Sequence, residues 1–146
     1  LKTSVEIKKW FKASSNVEYE FCTTAMIMEK AGTGGAIFRN MYRDFLLEAY
    51  AITKLPPISE AHQQFVVIAE LWTEVARLLD SAGKRNDESL VIKASDILAD
   101  LSSKEYFAMK TLEKILGNLE KYDRSRSMQT WKHERVITEI KKILEV

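Results

Sequence analysis

Proline, glycine, cysteine and net charge are all scarce in this chain, and each shortage removes a class of answers. Two prolines occur in 146 residues, adjacent at Pro56-Pro57, which leaves long uninterrupted stretches free to be helical. A single cysteine, Cys22, rules out an internal disulfide framework and suits a reducing compartment, so a cytoplasmic location is expected. Lys and Arg number 22 against 21 Asp and Glu, a formal net charge of +1. That balance gives no electrostatic reason to expect nucleic acid or an anionic membrane as a partner. No apolar run approaches the roughly 20 residues that a membrane-crossing helix needs. Leu1-Lys2-Thr3-Ser4 does not read as a signal peptide. It also lacks an initiator Met, and the simplest reading is a piece cut from a longer protein.

What is present is a globular composition, 46% hydrophobic and 29% charged, in a length that suits one domain with one core. Thr3 with Glu6 forms a capping-box pattern opening a short helix that carries Ile7, Trp10 and Phe11 on one side. Ser14-Ser15-Asn16 breaks it and can cap a second helix, roughly Val17 to Lys30, with Val17, Phe21, Ala25 and Met28 on its apolar face. A third helix, roughly Ala36 to Thr53, places Ile37, Phe38, Met41, Phe45, Leu46, Ala49 and Ile52 at i, i+3, i+4 spacing. After Pro56-Pro57, Ser59 is the expected cap of a fourth helix and Gly83 its expected C-terminal glycine, with Ala61, Phe65, Ile68, Trp72, Val75 and Leu79 as the inward seam.

Asn86-Asp87-Glu88 is expected to open a fifth helix facing inward through Leu90, Val91, Ala94, Ile97, Leu98 and Leu101. Ser102 with Glu105 then predicts a sixth helix carrying Tyr106, Met109, Leu112 and Ile115, unless the fifth and sixth run on with a bend. Tyr122 to Ser127 reads as a charged linker, and Met128 to Glu145 as a last helix with Trp131, Ile137, Ile140 and Leu144 inward. No segment alternates with period two for long enough to argue a strand. The expected fold is all-α, a compact bundle of about six or seven helices forming a single domain over residues 1–146.

Chemistry-bearing patterns are sparse. His62 and His133 are the only histidines, neither has a Glu three residues before it, and no second His follows His133-Glu134 at the zinc-protease spacing, so no metal or other cofactor is expected. Cys22 sits among Tyr19, Phe21 and Met26 in a helical pattern, which reads as a structural rather than a nucleophilic cysteine. The Trp10/Phe11 and Tyr106/Phe107 pairs lie at core spacing and come without the positive groove of a base-stacking platform. Late Lys and Arg residues are interleaved with Glu and Asp, as on a mixed solvated surface.

One segment carries more than burial. Gly32-Thr33-Gly34-Gly35 concentrates three of the five glycines just before the third helix, and Arg39 and Arg43 follow one turn apart. A glycine cluster permits positive φ and close backbone approach, and a helix N-terminus offers free N–H groups to an anion. The segment lacks the Gly-Lys-Ser/Thr ending of a phosphate loop and follows a helix rather than a strand, which argues against nucleotide binding. The segment therefore reads first as a tight inter-helix turn, with an anion site as the alternative, and Gly32, Thr33, Gly34, Gly35, Arg39 and Arg43 are the candidate ligand-binding or domain-contact residues.

Gly32-Thr33-Gly34-Gly35-Ala36-Ile37-Phe38-Arg39, with Met41-Tyr42, Asp44-Phe45-Leu46 and Glu48-Ala49, resembles the C-terminal helical domain of proteins similar to butirosin-biosynthesis protein H. In that family a Gly-Thr-Gly-Gly turn leads into a Phe-Arg-x-x-Tyr-x-x-Phe-Leu-x-Glu-Ala helix. Glu70-Leu71-Trp72-Thr73-Glu74-Val75-Ala76 is similar to a second recurrent element of the same domain. The resemblance spans about Ala31 to Leu79. It implies a non-catalytic accessory domain that follows a cysteine-peptidase-like catalytic domain; the alternative, on the residues alone, is a stand-alone helical module binding a small ligand or protein partner. The parent would be an acyltransferase or peptidase-like enzyme, with an acyl carrier protein among its partners and an oligomer contact as a further role. The family's catalytic Cys and His lie in the preceding domain, and no residue of this chain matches them.

Overall fold

A computed structural model describes residues 2–32, 35–116 and 137–142. Five α-helices follow one another: α1 (Lys2–Ala13), α2 (Val17–Met26), α3 (Ala36–Thr53), α4 (Pro56–Arg85) and α5 (Glu88–Leu116). A π-helical turn, Ile27–Ala31, continues α2, and residues 137–142 are also helical. No strand occurs among the described residues, and the helices pack as one all-α bundle.

α4 is its axis, touching α2, α3 and α5, while α1 lies on α5. Its sequence explains this position. Ile58, Phe65, Ile68, Val75 and Leu79 repeat at helical spacing, and Ala61, Ala69, Ala76 and Ala82 between them widen the buried arc enough to seat several neighbours. Phe21 of α2, Leu46 of α3, and Val91, Leu101 and Ile115 of α5 fill the space around it. Burying each large apolar side chain stabilises the fold by about 1.5–3 kcal/mol. Ile140 is buried against the same core.

Several boundaries differ from the sequence expectation, each for a local reason. α1 already includes Thr3, and Glu6 pairs with Lys9 at 3.0 Å instead of closing a capping box. α4 starts at Pro56, not after Ser59, because a fixed proline φ suits the first turn of a helix and its missing N–H costs nothing there. Gly83 does not end α4. It is buried inside the helix where a Cβ would stand 2.9 Å from Cys22 Sγ and 3.1 Å from Phe21 Cβ, so it serves the close α2–α4 crossing. The left-handed residue that ends α4 is Asn86, with φ 50°, and Asp87 rather than Asn86 caps α5 by accepting from the Ser89 N–H at 2.9 Å.

α5 is one helix of 29 residues, so the fifth and sixth predicted helices are continuous and Ser102 lies mid-helix. That continuity sets the phase: Leu101, Ala108, Leu112 and Ile115 face inward, and Tyr106 and Phe107 are left exposed, not in the core. Likewise Phe38, Met41 and Ile52 of α3 lie toward solvent. The linker at 122–127, most of the helix expected over 128–145, and His133 fall outside the described residues.

Candidate functional site

Gly32 and Gly35 do different work in the turn between the π-helical segment and α3. Gly32 has φ 73°, the left-handed conformation that ends the π turn, while its side-chain position meets only the Phe38 ring edge at 3.5 Å. Gly35 has an unremarkable φ, but a Cβ there would come within 2.6 Å of Met28 Cβ and 2.8 Å of Met28 Cα. One glycine is required by torsion and the other by room. Thr33 and Gly34 lie outside the described residues.

The two arginines do not converge on the turn. Arg39 reaches across to α5, where Nε meets Glu105 Oε1 at 2.7 Å and Nη2 meets Oε2 at 3.2 Å, a bidentate fork. Trp72 of α4 donates its indole N–H to the same Glu105 Oε1 at 2.7 Å, and the Arg39 guanidinium lies 4.7 Å from the centre of the Trp72 ring. Three helices are thus clasped through one carboxylate. Arg43 stays on its own helix, donating to Asp44 Oδ1 at 2.8 Å and to the Asn40 side-chain oxygen Oδ1 at 2.7 Å. Its hydrogen bond holds the Asp44 carboxyl below the usual carboxylate range.

Beside the clasp a groove of about 310 Å³ opens between α3 and α5, walled by Phe38, Arg39 and Tyr42 on one side and Glu105 and Met109 on the other, with Phe65 of α4 at its floor. Tyr42 stands edge-on to Phe65, ring centres 4.6 Å apart. Burial pushes its phenol up to about 12, so it remains a neutral donor at physiological pH. Phe38, in its wall, is 46% exposed, and elsewhere on the same two helices Met41 is 59%, Tyr106 59% and Phe107 64% exposed.

Cys22 lies at the α2–α4 crossing, its Sγ 3.6 Å from the Asp80 carbonyl oxygen. Burial first, and then the Asp80 carboxylate, push its thiol up, opposite to the shift a nucleophile needs. Among the described residues no three His, Cys, Asp or Glu side chains gather closely enough to hold a metal ion. None of their helices is long and apolar enough to cross a membrane.

Residues 1–112 match the family described as "Domain of unknown function (DUF4872)". The chain belongs to this family. No curated protein and no solved structure matches it. The DUF4872 match runs from α1 to the last turns of α5, so the glycine turn, the Arg39–Glu105–Trp72 clasp and all the walls of the groove lie inside it. Arg39 stands just after the glycine turn and Trp72 in the Glu70–Ala76 element. Glu105, which joins them, was legible only as the partner of a helix cap, because nothing in local spacing points from it to a residue 66 positions away.

Proposed function

We propose that this DUF4872 domain is a non-catalytic docking module, the accessory part of a butirosin-biosynthesis protein H-like acyltransferase or peptidase-like enzyme in the cytoplasm. Its α3–α5 face packs on the catalytic domain. The observation that carries the reading is the set of large apolar side chains left about half exposed or more on α3 and α5, Phe38 in the groove wall with Met41 and Tyr106 on the same two helices, beside a groove braced by an ion pair. Exposed large apolar side chains beside a polar brace suit an interaction face, and aromatic anchors beside an arginine are what such interfaces are built on. The partner domain brings the nucleophile and its base, and this domain helps to shape the substrate or carrier-protein site beside them.

The test begins with the gene: the segment encoded before Leu1 should hold a cysteine near its start and a histidine downstream. The two parts, produced separately, should associate. Met41→Glu combined with Tyr106→Glu, both at exposed positions, should weaken that association by at least about tenfold while the helical signal and melting temperature stay unchanged. Undiminished association of the double variant sinks the docking reading. Self-association of this chain that the same variant abolishes would assign the face to an oligomer contact instead.

A further inference from the structure

A second concavity, which touches the clasp through Trp72 but shares no lining residue with the α3–α5 groove, opens where α1, α2, the π turn, α4 and α5 come together. Its volume is about 240 Å³, and Val75, Leu79 and Leu98 form its floor. Ile7, Trp10, Met28 and Trp72 form the walls. Both tryptophans have their N–H groups engaged elsewhere, Trp10 with Glu20 and Trp72 with Glu105, each at 2.7 Å, so what they offer the cavity is ring surface. Polar groups occur only at the mouth: Thr3, Thr24 and Glu6.

The chain maintains this space by local devices. The π turn Ile27–Ala31 adds a residue to the helical turn that carries Met28, and single π turns inside helices recur at functional sites. Gly35 lets α3 begin directly against the Met28 backbone, so the glycine turn fixes the position of one cavity wall. Methionine adapts its shape to what it touches, and a dry apolar cavity of roughly 150 Å³ is already sufficient for a benzene-sized guest.

We infer that this cavity is a binding site for a small uncharged apolar molecule, of one to two rings or a short alkyl chain, with at most one hydroxyl or carbonyl group turned to the mouth. Its body lies between Trp10, Trp72 and Met28, and its polar end meets the Thr24 hydroxyl. Glu6 at the mouth disfavours an anionic head. This reading is independent of the docking face.

The experiment uses the intact chain with Trp131→Phe, so that emission reports Trp10 and Trp72, titrated with 1-octanol and, separately, with octanoate, and checked by calorimetry. Octanol is expected to bind saturably at about one-to-one stoichiometry and to raise the melting temperature. Octanoate is expected to bind at least about tenfold more weakly, and Leu98→Phe and Thr24→Phe, which fill the floor and the mouth, to weaken octanol by about tenfold or more. Met41→Glu, on the docking face, should leave octanol binding unchanged. Should Leu98→Phe lose its cooperative melt, Thr24→Phe at the partly exposed mouth decides alone. Absence of saturable octanol binding up to its solubility limit, equal binding of octanoate, or undiminished binding to a folded filled variant overturns the assignment.

Discussion

Gly32 and Gly35 show that two glycines in one turn can be required for unrelated reasons. Gly32→Ala forces a side chain into the left-handed region, a cost of about 1–2 kcal/mol. Gly35→Ala drives a methyl group into the Met28 backbone, and such overpacking costs about 1–3 kcal/mol. Urea unfolding separates the two: Gly32→Asn should recover much of the first loss, since Asn tolerates positive φ, while no β-carbon-bearing residue recovers the second. Tyr42 gives a prediction in pH. Its phenol titrates near the ordinary value of 10 in the unfolded chain and at about 12 in the fold, so the native state holds the proton longer. Stability is therefore fully present below about pH 10 and falls as pH rises toward about 12, by on the order of 2 kcal/mol. Tyr42→Phe should flatten that alkaline decline in unfolding curves measured from about pH 9 to about pH 11.5.

Among the helices, α3 coincides with the expected span from Ala36 to Thr53, because a glycine before it and prolines after it mark both ends. α5 does not, because Ser102 and Glu105 have the types and spacing of a capping box yet lie within one continuous helix. Their side chains show why the pattern misleads: Ser102 is exposed, and Glu105 is drawn away to Arg39 and Trp72. Ser102→Ala discriminates between the two readings. At a helix interior it should raise stability by about 0.3–0.5 kcal/mol; at an N-cap it would cost about 1 kcal/mol. Thermal melting of the single variant gives the sign.

For the molecule as a whole, the Arg39–Glu105–Trp72 clasp is the brace between α3 and α5, which otherwise meet mainly through α4. Arg39 and Glu105 side chains are about one-quarter exposed, so their fork is neither a fully screened surface pair nor a deeply desolvated one. A double-mutant cycle on Arg39→Ala and Glu105→Ala should return a coupling of roughly 1–2 kcal/mol. Arg39→Lys should keep little of it, since an ammonium cannot reproduce the bidentate fork or lie over the Trp72 ring. The same cycle read on partner association tests whether the groove depends on the brace, as the proposed docking role requires.

Periodicity and turn chemistry were enough to read an all-α chain, the span of α3 and the inward seam of α4, because these are set by backbone bonds and side-chain spacing over about four residues. The same local view misplaced Gly83 and Tyr106 and left Glu105 without its partners. Gly83 makes room for Cys22, Tyr106 is turned outward by the phase of a helix that begins at Glu88, and Glu105 meets a residue of α3 and another of α4. Each of these depends on contacts between residues 33 to 66 positions apart, or on a phase carried through a whole helix. A helical repeat says which side of a helix is apolar; which neighbour that side meets, and where it leaves a groove or a cavity, arises only when the helices pack.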